Sequence, residues 1–386
     1  MVSLQNQQPN NYTILRPHKL IAGSNLLKFG KMLDGIMPKA YVYFVLITSS
    51  VLFYGCNRTG ISYENDIVTE ETLVADVEIM ESKFLFNFPK DIFISDSLLI
   101  VYDIQGHDDA FHIFRKETGE YIKSFGHCGR GPGEIIDAGS VDCSSGKIVV
   151  CAPNQNKIVV YELDRILSDK PDPYREIQIV EVPNFVKKAV LYDNGYIIKG
   201  NDDRMRYGIW IPKQGILKNI YTEYPQLSTN AEINWSLTDY ASRLRLSPDC
   251  RKLVSGSYIG CVLEILDIQD NGCFGMSATR YFYEPIWKIA AGAVPEWAVP
   301  TDETIIGFQD ISLTQNYIYG LVWGIELEVL ESGHPFIVKF DYSGTPKCKY
   351  LINDVILALA VDSCDKIAYG IVMDADGECF IGRMHL

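Results

Sequence analysis

The chain has 386 residues, 47% of them hydrophobic and 22% charged, with 35 Lys/Arg against 49 Asp/Glu for a formal net charge of −14. That apolar content excludes a disordered chain. The acidic balance excludes a general nucleic-acid binder, which needs a basic stripe to neutralise phosphates.

The first element is the apolar run Ala40–Tyr54, preceded by Lys39 and followed by Gly55-Cys56. It is shorter than the roughly 20 residues of a comfortable bilayer span. A basic start, an apolar stretch and a small residue form the pattern of a signal peptide. With Cys directly after the small residue, the segment resembles a bacterial lipoprotein signal. That resemblance implies lipid attachment at Cys56, which becomes the mature N-terminus; the alternative is an uncleaved N-terminal anchor. Met37-Pro38-Lys39 reads as the true start, which makes residues 1–36 an upstream extension. The expected organisation is therefore 1–55 extension and signal peptide, 56–65 tether, and 66–386 folded domain. Removing residues 1–55 leaves 30 basic and 48 acidic side chains, a net charge of −18. The protein is expected to be exported and held at the periplasmic or cell-surface side, touching the membrane through its lipid only.

From residue 91 onwards one pattern recurs: an apolar strand, a short polar turn, then a second apolar strand. It occupies Asp91–Val101, Ser140–Val150, Ala189–Ile198, Leu244–Val254, Asp310–Gly320 and Leu357–Gly370. Anchors at the start of the second strand fall at Leu99, Ile148, Ile197, Leu253, Ile318 and Ile367, spaced 49, 49, 56, 65 and 49 residues apart. The two longer intervals read as insertions. Where the unit is clearest a third and a fourth strand follow, as in Phe111–Phe114 and Tyr121–Phe125 around the turn Glu117–Glu120. Period-2 alternation with Gly/Asp/Asn/Ser turns is the chemistry of an antiparallel meander. Four strands repeated six times predict an all-β, six-bladed propeller. The segment Tyr161–Ser168 predicts one short helix. The last unit lacks a fourth strand, and Thr72–Ile79 is the spare strand expected to close the ring and cover its edge.

The segment Phe125–Glu134 (FGHCGRGPGE) carries a Phe-Gly, a Gly-rich turn and Gly-Pro-Gly-Glu between two units. On it the chain resembles the TolB-like and NHL-like six-bladed propeller lipoproteins of anaerobic gut-type bacteria. The resemblance covers residues 66–386 and the signal. It implies the propeller fold and an envelope location.

Several residues are candidates for chemistry. The Gly126–Gly133 loop reads as a crossover needing positive φ, with Arg130 at its tip as the candidate anion contact. No Gly-Lys-Ser/Thr follows, so it is not a phosphate loop. Asp96, Asp142, Asp193, Asp249 and Asp362 sit in or beside the first turn of their units, where turn chemistry accounts for them. His107 with Asp108 and Asp109 reads as a solvated loop rather than a general base or ligand, with His112 in the next strand. The insertions around Tyr221–Tyr240 and Tyr281–Glu303 are aromatic-rich. Trp235, Trp287 and Trp297, beside Arg243, Arg245 and Lys288, are the expected ligand contacts by stacking. The competing reading packs these aromatics on the rim as a lid. Ten Cys show no C-x-x-C pair and no zinc spacing; Cys143 and Cys151 are candidates to face each other across a hairpin.

The expected function is a non-catalytic binding or scaffolding module, monomeric, for a glycan or a protein partner. No catalytic residue or metal ligand and no cofactor are assigned. The alternative is a metal-dependent lactonase- or lyase-like propeller enzyme. It would hold calcium with channel-lining oxygens.

Overall fold

In the computed structural model the chain divides into two units, Met1–Gly60 and Ile61–Leu386. The structure describes residues 62–80, 84–104, 108–170, 173–178, 186–202, 205–225, 242–289 and 298–386. Cys56 and the expected signal lie outside the described residues.

Two short strands come first, β1 (Glu71–Val74) and β2 (Val77–Ile79). Blade 1 is then β3 (Pro89–Ser95), β4 (Leu98–Asp103), β5 (Asp109–Arg115) and β6 (Tyr121–His127). Blade 2 is β7 (Ser140–Ser144), β8 (Lys147–Ala152), β9 (Lys157–Glu162) and β10 (Tyr174–Gln178). Blade 3 is β11 (Lys188–Tyr192), β12 (Gly195–Asp202), β13 (Met205–Ile211) and β14 (Ile216–Tyr221). Blade 4 is β15 (Arg243–Leu246), β16 (Lys252–Gly256), β17 (Val262–Ile268) and β18 (Phe274–Tyr281). A small hairpin of β19 (Trp287–Ile289) and β20 (Ala298–Pro300) leads into blade 5, made of β21 (Ile305–Leu313), β22 (Ile318–Glu326), β23 (Phe336–Phe340) and β24 (Pro346–Leu351). Blade 6 takes β25 (Val355–Val361), β26 (Ile367–Met373) and β27 (Cys379–His385) from the C-terminus. Helix α1 (Leu163–Leu167) falls inside the expected segment.

A strand's place in its blade explains its sequence. The second and third strands are covered on both faces by neighbouring blades and read as continuous apolar runs, such as KIVVCA in β8 and KIVVY in β9. The outermost strand β14 meets solvent on one face and alternates, half-buried against exposed, along ILKNIY. Successive residues therefore serve opposite interfaces. Ile148 and Val159 pack towards blade 1, while Val149 and Val160 pack towards blade 3. Six such clusters fill the six contacts between adjacent blades, the last joining Ile371 and Ile381 of blade 6 to Leu99 and Val101 of blade 1.

The closing segment divides its work. Val77 and Glu78 of β2 pair antiparallel with Met384 and Arg383, supplying the fourth strand of blade 6. The preceding residues do not join that blade: β1 pairs in parallel with β24, a fifth strand on blade 5. The bend at Ala75-Asp76 lets one segment cover two adjacent edges. On either side the chain also holds blades 4 and 1. Glu64 N–H donates to Tyr281 O at 3.0 Å, and the Phe84 ring stacks on Tyr121 with centroids 5.0 Å apart.

The cysteine expectation needs correction. Ser140 faces Cys151 in the hairpin and Cys143 faces Ile148, so Cys143 and Cys151 are out of register. All nine described cysteines are unbridged.

Candidate functional site

The first strand of each blade lines the ring axis, leaving an inner edge of backbone groups without a neighbouring strand. Side chains of the preceding blade's first strand satisfy them. Asp142 Oδ2 accepts from Leu191 N at 3.1 Å, and Ser140 Oγ accepts from Ala189 N at 3.0 Å. Asp310 Oδ2 accepts from Leu359 N at 3.0 Å, and Ser312 Oγ accepts from Val361 N at 2.9 Å. Each of these four pairs is separated by 49 residues, the repeat length itself. Between blades 4 and 5 arginines do the same work: Arg243 Nε donates to Gln309 O at 2.7 Å and Arg245 Nε to Ile311 O at 3.1 Å.

Asp142 therefore departs from the turn reading. It is buried on β7, and burial raises its carboxyl above the ordinary range against the pull of the Leu191 amide and Arg245. The other four Asp residues behave as turn residues. Asp96 and Asp193 adopt φ of 51° and 46°. Asp249 accepts from Arg251 N, and Asp362 from Lys366 N and Ile367 N.

Charges from opposite sides of the ring meet on the axis. Asp91 Oδ1 of blade 1 accepts from Arg243 Nη1 and Arg245 Nη2 of blade 4, both at 3.1 Å. Arg245 Nη2 also reaches Asp310 Oδ1 of blade 5 at 3.0 Å. Above this knot the channel opens into a cavity of about 440 Å³, lined by Lys90, Lys188, Tyr102, Tyr258, Phe88 and Gln309 together with Asp91 and both arginines. Lys188 is half-buried and faces this cavity. Burial, then the nearby cations Lys199, Arg243 and Arg245, hold its ammonium well below the usual lysine range, with Asp91 opposing. Neither Lys188 nor Lys90 has an ion-pair or hydrogen-bond partner among the described residues.

Of the residues singled out from sequence, Arg243 and Arg245 come together here. Trp287 lies on β19, outside the cavity lining. Trp235 and Trp297 lie outside the described residues, as does His107. Arg130 is exposed at the tip of its loop and is not among the residues that line the cavity. That loop is filled by its own carboxylate: Glu134 Oε2 accepts from Gly131 N at 2.6 Å, where an external anion would sit. His112 is buried in blade 1, its Nδ1 2.7 Å from Ser124 Oγ.

The described aromatics of the insertions pack on the ring. Tyr221 stacks on Tyr207 with centroids 6.2 Å apart, Tyr281 meets Tyr63 edge-on, and Tyr283 covers the blade 4–5 core. Tyr224 lies 4.8 Å from the Arg206 guanidinium. Both insertions still leave and return on the face where the cavity opens, because each joins an outermost strand to the next axial strand.

Sequence reasoning missed Asp91, Lys188 and Asp310. A usable signal was present: each stands in the first strand of its unit, the position where inner-edge amides need side-chain acceptors.

The fold and its axial site thus define a six-bladed propeller with a charged channel knot beneath an open mouth. The chain belongs to the TolB-like 6-blade propeller-like family, whose model matches residues 66–364. A comparison with curated proteins finds no match. Among solved structures the chain is similar to a Bacteroides fragilis protein described as exported, at 10% identity, with 84% of this chain and 98% of that chain covered and a TM-score of 0.52. It is also similar to the RRP9 WD40 repeats, at 9% identity, 80% and 97% coverage and a TM-score of 0.47. A third similarity is to the Cps50 (Swd1) propeller domain of Myceliophteria thermophila, at 11% identity, 80% and 99% coverage and a TM-score of 0.43. At these identities the likeness is one of fold.

Proposed function

We propose that this protein is a non-catalytic binding or scaffolding module of the cell envelope, recognising a glycan or a partner protein through the face on which its channel opens. The observation that carries this reading is the cavity at the mouth, with Lys90 and Lys188 on its wall, neither paired among the described residues. Concave sites of about 300–1,000 Å³ with a few convergent polar groups are where propeller-sized scaffolds bind small ligands. The lipoprotein-type signal ending at Cys56 supports an exported chain held by its lipid, and Cys56→Ser should release the protein from the membrane fraction.

The donor set does not suit the metal-enzyme reading. Asp91 and Asp310 are occupied by guanidinium groups and Asp142 by a backbone amide. Calcium, which takes 6–8 oxygen ligands, would have to displace an arginine to gather them.

Orientation tests the proposal. The exposed Cys364 sits in the hairpin between β25 and β26, on the face opposite the mouth. Full-length protein immobilised through Cys364 should capture ligands from an array of envelope glycans. The same chain immobilised through Ile136→Cys, exposed in the loop that enters β7 on the mouth face and outside the cavity lining, should lose that capture. Equal capture in both orientations would remove the mouth as the recognition surface.

A further inference from the structure

The cavity differs in sign from the rest of the molecule. Its lining carries four cationic side chains, Lys90, Lys188, Arg243 and Arg245, against the single carboxylate of Asp91, on a chain whose net charge is −14. An acidic protein that gathers cations at one concave place creates a local attraction for anions that its surface otherwise repels.

The cations are not equivalent. Arg245 is spent: it donates to Ile311 O, Leu244 O, Asp91 and Asp310. Arg243 is fixed by Gln309 O and Asp91, while its Nη2 makes no hydrogen bond among the described residues. Lys188 and Lys90 make no hydrogen bond or ion pair among the described residues. Two ammonium groups and one guanidinium nitrogen without a hydrogen bond among the described residues, from blades 1, 3 and 4, therefore converge on one space. Beside them Phe88, Pro89, Tyr102 and Tyr258 give the cavity an apolar and aromatic wall.

We infer that the cavity seats a carboxylate carried on a sugar ring, a uronic-acid residue of an acidic glycan, with the carboxylate on Lys188 and Arg243 Nη2 and the ring against Tyr258. This rests on the reading of the mouth as the recognition surface and gives it a ligand class. A ring body matches the aromatic wall, which a free inorganic ion would leave uncovered. The cations that line the site stand on three separate strands, β3, β11 and β15. Its free donors are separate side-chain groups, suited to a small carboxylate held at two points. Lys188 then has a reason to stand unpaired: the ligand supplies the counter-charge that the protein withholds.

The test uses full-length protein and four probes by titration calorimetry at fixed ionic strength: D-glucuronate, a glucuronate-containing disaccharide, D-glucose and inorganic phosphate. Glucuronate should bind about tenfold or more tighter than glucose, the loss expected for one charge-assisted contact of roughly 1.5–3 kcal/mol. Lys188→Gln should abolish that preference, Lys90→Gln should reduce it, and Lys213→Gln, in an exposed turn of blade 3, should leave it intact. Equal binding of glucose and glucuronate would overturn the carboxylate inference and leave the mouth as a site. Phosphate binding tighter than glucuronate would overturn it in favour of an inorganic or esterified phosphate. Binding of no probe, with capture on the oriented array intact, would also overturn it while the broader reading stood; loss of oriented capture would remove both.

Discussion

Lys188 is costly to keep. A lysine whose folded-state value is depressed opposes folding while both states are protonated, and the opposition fades as pH rises through the depressed value towards the ordinary 10.5. The groups that set it are Lys199 on β12, Arg243 and Arg245 on β15 and Asp91 on β3, with burial as the largest cause. Lys188→Met should therefore raise the melting temperature at pH 7. The gap to wild type should close between the depressed value and about pH 10.5, as followed by thermal melts across that range. A variant no more stable than wild type at pH 7 would mean that the ammonium already has a counter-ion. Another residue under constraint is Gly133, at φ 71°, where a Cβ would lie 2.6 Å from the Tyr174 ring. Gly133→Ala should cost about 1–3 kcal/mol in denaturant unfolding, from the strained backbone together with the ring contact.

Among the elements, the contact between blades 3 and 4 holds a buried charge pair on the third strands of the two blades. Arg206 of β13 pairs with Glu264 of β17, both buried, and the guanidinium lies 4.9 Å from the Tyr207 ring centroid. Removing one member leaves the other charged and buried. Glu264→Ala should thus destabilise the fold by about 3–5 kcal/mol, whereas replacing both partners with apolar residues of similar volume should be close to neutral. Equilibrium denaturation of the two single variants and the double variant separates these outcomes. Strands as a class were legible in the sequence for a physical reason. Leu99, Ile148, Ile197, Leu253 and Ile318 are fully buried because a blade's second strand is covered on both faces. That burial forces an apolar residue to return at each repeat. The axial site was not legible in the same way. Asp91 meets Arg243 and Arg245 across separations of 152 and 154 residues, a meeting created by ring closure and not by any local pattern. Asp142 looked like its turn-forming neighbours because it lies two residues from the same turn; only the register of β7 turns it towards the axis.

At the scale of the whole molecule, stability depends on the N-terminal segment more than its length suggests. It carries β1 and β2 onto the edges of blades 5 and 6, and Glu78 reaches Arg383 through a bond of 2.6 Å. Without it blade 6 would expose the unpaired edge of β27, a template for association with other chains. Deleting residues 66–80 should give a species that aggregates more and melts lower than the full chain, visible by light scattering and size-exclusion chromatography. An unchanged melting temperature in a monomeric product would show that the ring holds without its closing strand. Closure was foreseeable from the missing fourth strand of the last unit. The division of the segment at Ala75-Asp76 was not, because β1 and β2 are each too short to reveal which edge they prefer.

This belt also sets an order of events during synthesis. Val77 of β2 leaves the ribosome long before Met384, its partner on β27. At about 5–20 residues per second the interval is on the order of 15–60 s. Through that time the residues that finish the ring have nothing to pair with, while blades 1 to 4 can already stack. A nascent chain therefore carries an unpaired closing segment and an open ring until its last strand is complete. A circular permutant beginning at Pro89, with the belt linked after Leu386, would deliver these residues beside their partners. It should assemble faster on refolding and melt close to the wild-type temperature.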